Sequence, residues 1–164
     1  MTIKTPRTLF ISRIAILSAF SVAGSFIHPP SPIQTVAFDS APGFFAGLFF
    51  GPIDGAFVCG IGHIATSLVN DFPLGLVHLP IAFGMALAGW AIGAVNNLLR
   101  KRWAFIPALI LGVGINAALF VIVIPISGWA AAFAFMPFLI VAACLNAAVA
   151  ASLYIAFRAR KLRL

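Results

Sequence analysis

Five side chains, Cys59, His63, Thr66, Ser67 and Asn70, recur at spacings of four, three, one and three residues in an otherwise apolar stretch. At helical period they fall along one face. Imidazole, hydroxyl and carboxamide groups donate and accept hydrogen bonds, so such a face can meet a polar ligand or bond a neighbouring helix. The thiol of Cys59 and the imidazole of His63, four residues apart, could together hold a soft metal. Two ligands are too few for a site, however, and neither a metal nor another cofactor is expected in this chain. Cys144 has no second cysteine at a useful spacing, so no disulfide is suggested. Three further groups could join this face: Asp39 at the head of "FDSAPGFFAGLFFGP", Asp71 in "VNDFP", and His78.

The elements that must position these groups are set by composition. Hydrophobic residues make up 63% of the chain, charged residues 8%, and the mean hydropathy is +1.15. These values exclude an ordinary soluble domain and indicate an integral membrane protein. Asp39, Asp54 and Asp71 are its only acids, against ten Lys and Arg and a formal charge of +7. Nucleic acid is not the expected partner, because the positive charge gathers in three groups that flank apolar runs. They are Lys4, Arg7 and Arg13; Arg100, Lys101 and Arg102; and Arg158, Arg160, Lys161 and Arg163. That is the pattern of cytoplasmic flanks in a lipid bilayer.

Spans of about 20 residues predict six helices, over 9–27, 37–50, 53–70, 75–97, 103–125 and 134–157. "HPPSP", Gly51-Pro52, Asp71-Phe72-Pro73 and "SGW" at 127–129 separate them. The fold class is therefore all-α: one domain over 1–164, a bundle of six transmembrane helices with both termini inside. The first run could instead be a secretory signal, but Arg13 interrupts it and no clean cleavage site precedes "HPPSP". The second run is short for a full span. In this topology His28, Asp39, Asp71 and His78 all lie toward the outer side. Asp54, in the inner turn after Gly51-Pro52, reads as a structural residue favoured by the start of a helix. For Asp39 two readings stand side by side. Asp39 and Ser40 could simply cap the second helix, or the acid could line a ligand cavity, since ionisable groups in membrane spans are costly and tend to be functional. Gly43, Gly47 and Gly51, and Gly89 and Gly93, repeat every four residues and predict close helix contacts. Asn116 and Asn146 are as suited to bonding between helices as to meeting a ligand.

No Ser/His/Asp motif, paired glutamates, phosphate-binding "GxxxxGK[ST]" or "HExxH" occurs, so the chain is not expected to be an enzyme or to hydrolyse ATP itself. No ring of charges or filter-like repeat suggests a channel, and the chain is small for a transporter built from inverted repeats.

"RIAILSAF" at 13–20 places Ala15 and Ala19 in an A-x-x-x-A pattern. With the length, the six spans, the topology and the outer polar group, it resembles the substrate-binding S components of energy-coupling factor (ECF) transporters. These are small membrane proteins that capture vitamins and related micronutrients. The resemblance implies a multi-pass protein of the cell's inner (cytoplasmic) membrane. Its implied partners are a vitamin-like small molecule, a transmembrane coupling subunit docking on Ala15 and Ala19, and two ATPase subunits that use ATP. "FDSAPGFFAGLFFGP", "GHIATSLVNDFPLG" and "VHLPIAFGMALAG" are similar to S components for cobalamin precursors such as α-ribazole, although Asp71 stands where a small or uncharged residue is expected. The implied ligand residues are Gln34, Asp39, His63, Ser67, Asn70, Asp71, His78 and Trp129. An aromatic ring would suit stacking on Phe side chains and Trp129, under a closure formed by "HPPSPIQ" at 28–34. Intact cobalamin is a variant in which Cys59 or His63 reaches the cobalt. An S component for a different vitamin and a self-sufficient small transporter or channel are the alternatives.

Overall fold

The computed structural model describes residues 6–27 and 37–161. Gln34, His28 and the proposed closure at 28–34 lie outside the described residues. The chain forms α1 (Arg7–Ser25), α2 (Ala41–Phe49), α3 (Pro52–Val69), α4 (His78–Leu99), α5 (Phe105–Ala118) and α6 (Ile124–Lys161). Single 3-10 turns, Gly75–Val77 and Leu119–Val123, lead into α4 and α6. No strand occurs among the described residues.

Four stretches are long and apolar enough to cross a membrane: Arg7–Ser25, Pro52–Val69, Gly75–Leu99 and Phe105–Ala159. Large apolar side chains cover the outside of the bundle; Phe83 is 78% exposed and Leu98 80%. A surface of this kind belongs in lipid, and the protein is a membrane-embedded, multi-pass chain.

Two expectations are corrected. Six full-length crossings are not what the helices supply, because the second, expected over 37–50, contains a helix of only nine residues. At 1.5 Å per residue it covers about 13 Å of a hydrocarbon core about 30 Å thick. Second, the interval expected to separate 103–125 from 134–157 is itself helical. Only Gly128, with φ 76° and ψ 165°, leaves helical geometry inside α6. In lipid each backbone group must find a partner within the protein, so the chain keeps its helical hydrogen bonds up to the one residue that can turn. Pro137 sits inside α6 on the same terms.

Packing is closest where α2, α3 and α4 meet. A methyl group on Gly55 would overlap the carbonyl of Gly89 and the Cα of Gly47, one on Gly89 would strike the backbone of Gly55, and one on Gly93 would strike Pro52. Glycine is thus required for backbone contact, the main attraction left to helices in lipid. Phe44 and Ile92 are fully buried beside this seam, and Ala108 and Ala150 close it from α5 and α6. Helix α1 lies against α3 through Ile14, Ser18, Ser21 and Ser25. Arg13 forms a two-pronged ion pair with Asp54, with one bond of 3.0 Å from its guanidinium to Oδ2. Arg158 donates to the carbonyl of Arg102 at 3.1 Å. These contacts tie the start of α1 to the start of α3, and the end of α6 to the α4–α5 turn.

Candidate functional site

Away from the basic end, the helices part around a cavity of about 130 Å³. Its apolar wall comes mainly from Ile81 and Met85 of α4, Leu119, Phe120 and Val123 of the second 3-10 turn and its flank, and Phe135 and Leu139 of α6. Its polar groups are few: Asp39, Ser40, His63, His78, Asn116 and Asn146. An apolar hollow with a handful of convergent polar groups is the usual form of a small-molecule site. A smaller hollow of about 20 Å³ adjoins it and is lined by Thr66, Ser67, Asn70 and Pro73 together with Asp39, His63 and His78.

The two histidines connect. Nε2 of His63 lies 3.1 Å from Nδ1 of His78, and the Ser67 hydroxyl lies 2.9 Å from the same Nδ1. The backbone N–H of Leu74 donates to Nε2 of His78 at 3.3 Å, which makes that nitrogen an acceptor and leaves the ring proton on Nδ1. Ser67 donates its own proton to the carbonyl of His63 at 2.8 Å and is free to accept from His78. With Nε2 of His63 also facing that proton, the proton of His63 belongs on Nδ1, directed toward Asp39 Oδ2 at 3.8 Å. The donor and acceptor requirements therefore assign a one-way chain from Leu74 through His78 to His63, whose other nitrogen faces Asp39 across a gap wider than a hydrogen bond.

Asp39 does not cap α2, since that helix has no side-chain cap bond. Its Oδ1 accepts from the Ser40 hydroxyl at 3.0 Å instead. The capping role passes to α6. Oδ1 of Asn146 accepts from the backbone N–H groups of Ser40 at 3.1 Å and Ala41 at 2.7 Å. Its Nδ2 donates to the carbonyls of Ala37 at 3.0 Å and Ala142 at 2.9 Å. Asn146 is 1% exposed and uses its full bonding capacity. One amide thus fixes the segment that carries Asp39.

Of the ligand residues expected from the sequence, Asp39, His63 and His78 come together on the cavity, and Ser67 and Asn70 on its small extension. Asn70 also donates to the carbonyl of Thr66 at 2.8 Å and to Ser25 Oγ at 3.3 Å, joining α3 to α1. Asp71 is exposed in the α3–α4 turn with φ 61°, away from the lining. Trp129 is 62% exposed and stacks on Phe133 at 5.7 Å between ring centres, also outside the cavity. Cys59 is buried among α2, α3 and α4 against Gly43 and Gly89, and Cys144 is exposed. No group of three or more His, Cys, Asp or Glu gathers as a metal site among the described residues. Ala15 and Ala19 lie on the exposed side of α1, opposite its serine face. Sequence reasoning left Asn116 and Asn146 undecided; their signal was an isolated amide in an apolar span, and both line the cavity.

No curated protein matches the chain. Among solved structures it is similar to the S component of a bacterial ECF transporter, with a TM-score of 0.69 and 20% identity over 97% of this chain and 100% of the other. At that identity the likeness is one of fold. The family model for the substrate-specific component of ECF transporters matches residues 9–157, nearly the whole chain. This family consists of substrate-binding transport components rather than enzymes, and the chain belongs to it.

Proposed function

We propose that the chain captures a small, ring-bearing, vitamin-like molecule in the cavity between α3, α4, α5 and α6 and passes it to an ATP-driven coupling module. The observation that carries this reading is the cavity itself: apolar walls for a ring, and Asp39, His63, His78 and Asn116 for its polar edge. The side-chain amide of Asn116 has no hydrogen-bond partner among the described residues, which leaves it available to a ligand. A volume of about 130 Å³ is close to that of engineered cavities that take up benzene. A cobalamin precursor such as α-ribazole, favoured by resemblance of the local segments, would place its base there. Its ribose would reach toward the hollow beside Ser67 and Asn70.

The chain is read as six passes with both termini in the cytoplasm, α2 completing its pass only partly as helix. The basic groups at one end support that orientation. Ala15 and Ala19 offer a shallow exposed face on α1 for the coupling subunit. Two measurements test the reading together. Mass spectrometry of the small molecule retained through purification should identify a ring-bearing vitamin or precursor, and α-ribazole if the finer assignment holds. Trp at Ala15 and Ala19 should abolish uptake in cells supplying the coupling subunit and ATPases while ligand affinity stays within about twofold. Normal uptake in that variant would remove the docking face, and lost ligand binding would mean that this face packs internally.

A further inference from the structure

At the basic end a second cleft, of about 480 Å³, opens between the ends of α2, α4 and α6. Leu48 and Phe49 form its apolar side, and Asn97, Arg100, Lys101 and Arg158 its polar side. Flanking charge alone needs no cleft. Here three cations from two places far apart in sequence, the turn that follows α4 and the end of α6, converge on one hollow. No aspartate balances them: Asp54 is held by Arg13, Asp39 faces His63, and Asp71 lies in the α3–α4 turn at the other end. Two of the cations are positioned by the fold. Arg100 ends α4 in left-handed geometry, φ 49°, with its Nε bonded to the carbonyl of Asn97 at 3.3 Å. Arg158 is held over the ring of Tyr154 at 5.9 Å and bonds the carbonyl of Arg102 at 3.1 Å, leaving further N–H groups to donate.

Guanidinium and ammonium groups gathered without a carboxylate among the described residues suit an oxyanion, above all a phosphate, which accepts several charge-assisted hydrogen bonds at once. The surroundings point to the source. Trp103, 60% exposed, lies beside Arg102 next in the chain, as aromatic residues do at the boundary between lipid and water. We propose that this cleft binds a phosphate group, and that its source is the head group of an anionic phospholipid at the membrane interface.

The test uses the purified full-length chain in neutral detergent, titrated with phosphatidylglycerol, phosphatidylcholine and inorganic phosphate, and read by native mass spectrometry and thermal unfolding. Phosphatidylglycerol should remain bound and raise the melting temperature, whereas phosphatidylcholine should do neither. Arg100→Gln/Lys101→Gln should weaken phosphatidylglycerol binding by about tenfold or more, at roughly a kilocalorie per charge near the surface. Arg158→Gln is a second, independent variant should the first fold poorly. Lys4→Gln/Arg7→Gln removes the same charge from the N-terminal basic group of the sequence and should leave binding unchanged. Millimolar phosphate that stabilises the protein without lipid, and displaces the lipid, would assign the site to a soluble phosphate and overturn the lipid source. Equal loss in the Lys4/Arg7 control, or no preference for phosphatidylglycerol over phosphatidylcholine, would overturn the site itself.

Discussion

Helices α3 and α4 pack in two opposite ways along their length. At Gly55 and Gly89 their backbones touch, with no room for one added methyl group. Toward His63 and His78 they are held apart by two imidazoles with ring centres 5.3 Å apart, and a cavity opens beside them. Small residues fix the relative position of the helices at one end, and this permits polar groups and empty space at the other. Lipid supplies little drive for helices to close on a hollow, so the tight region is what holds the open one.

The comparison is broken most severely at the seam. Gly89→Leu would push a side chain into the backbone of Gly55 and the sulfur of Cys59, and loss of folded protein is expected in size-exclusion profiles. Even Gly89→Ala should cost about 1–3 kcal/mol, read as a lower melting temperature. A wild-type melt for the leucine variant would show that the seam does not hold the bundle.

Next in size is Asn146→Ala, which strands the N–H groups of Ser40 and Ala41 and the carbonyl of Ala37. Each unmet buried group costs about 1–3 kcal/mol. Stability and ligand affinity should fall together, because the start of α2 carries Asp39. Asn146→Asp keeps the acceptor and loses the donor, so it should fall between the two. An alanine variant with unchanged melting and affinity would detach α2 from α6.

His63→Ala sharpens the comparison from the open end. It should weaken the retained ligand by about 1–3 kcal/mol in isothermal titration with little change in melting, the reverse of Gly89→Ala. If melting falls and affinity does not, His63 is internal packing. The smallest effect is expected for Asp39→Asn, which preserves an oxygen to accept from Ser40 but removes the charge facing His63. A loss of affinity below about tenfold fits a hydrogen-bonding role, and a complete loss would make the charge itself the determinant.

Long apolar runs with clear breakers were readable. Expected helices over 9–27 and 53–70 correspond to Arg7–Ser25 and Pro52–Val69 within a residue or two. The polar face of α3 was readable as well, because periodicity alone brings His63, Ser67 and Asn70 together. What could not be read was anything settled by a distant partner. Arg13 looked like a flanking charge and Asp54 like a helix-start residue, yet they pair across 41 positions. For Asp39 a cap and a cavity acid were both open readings, but the amide that caps α2 stands on α6, more than a hundred residues away. The length of α2 followed the same logic: apolar composition marked 37–50 as buried, while Asn146 decided where the helix begins. Trp129 was chosen for its chemistry alone, and chemistry without a position could not tell a cavity wall from a lipid-facing ring.

That borrowed cap sets a depth. A helix start carries unpaired N–H groups that water usually satisfies at a membrane surface; with Asn146 supplying the partner, α2 can begin beneath that surface. His63 lies six residues before the end of α3 at Val69, about 9 Å along the helix axis. In the orientation proposed above, a molecule held at His63 would sit inward of the α3 end by roughly a third of a barrier about 30 Å thick. On that reading, the distance left for the proposed handover to a coupling module is shorter by that third.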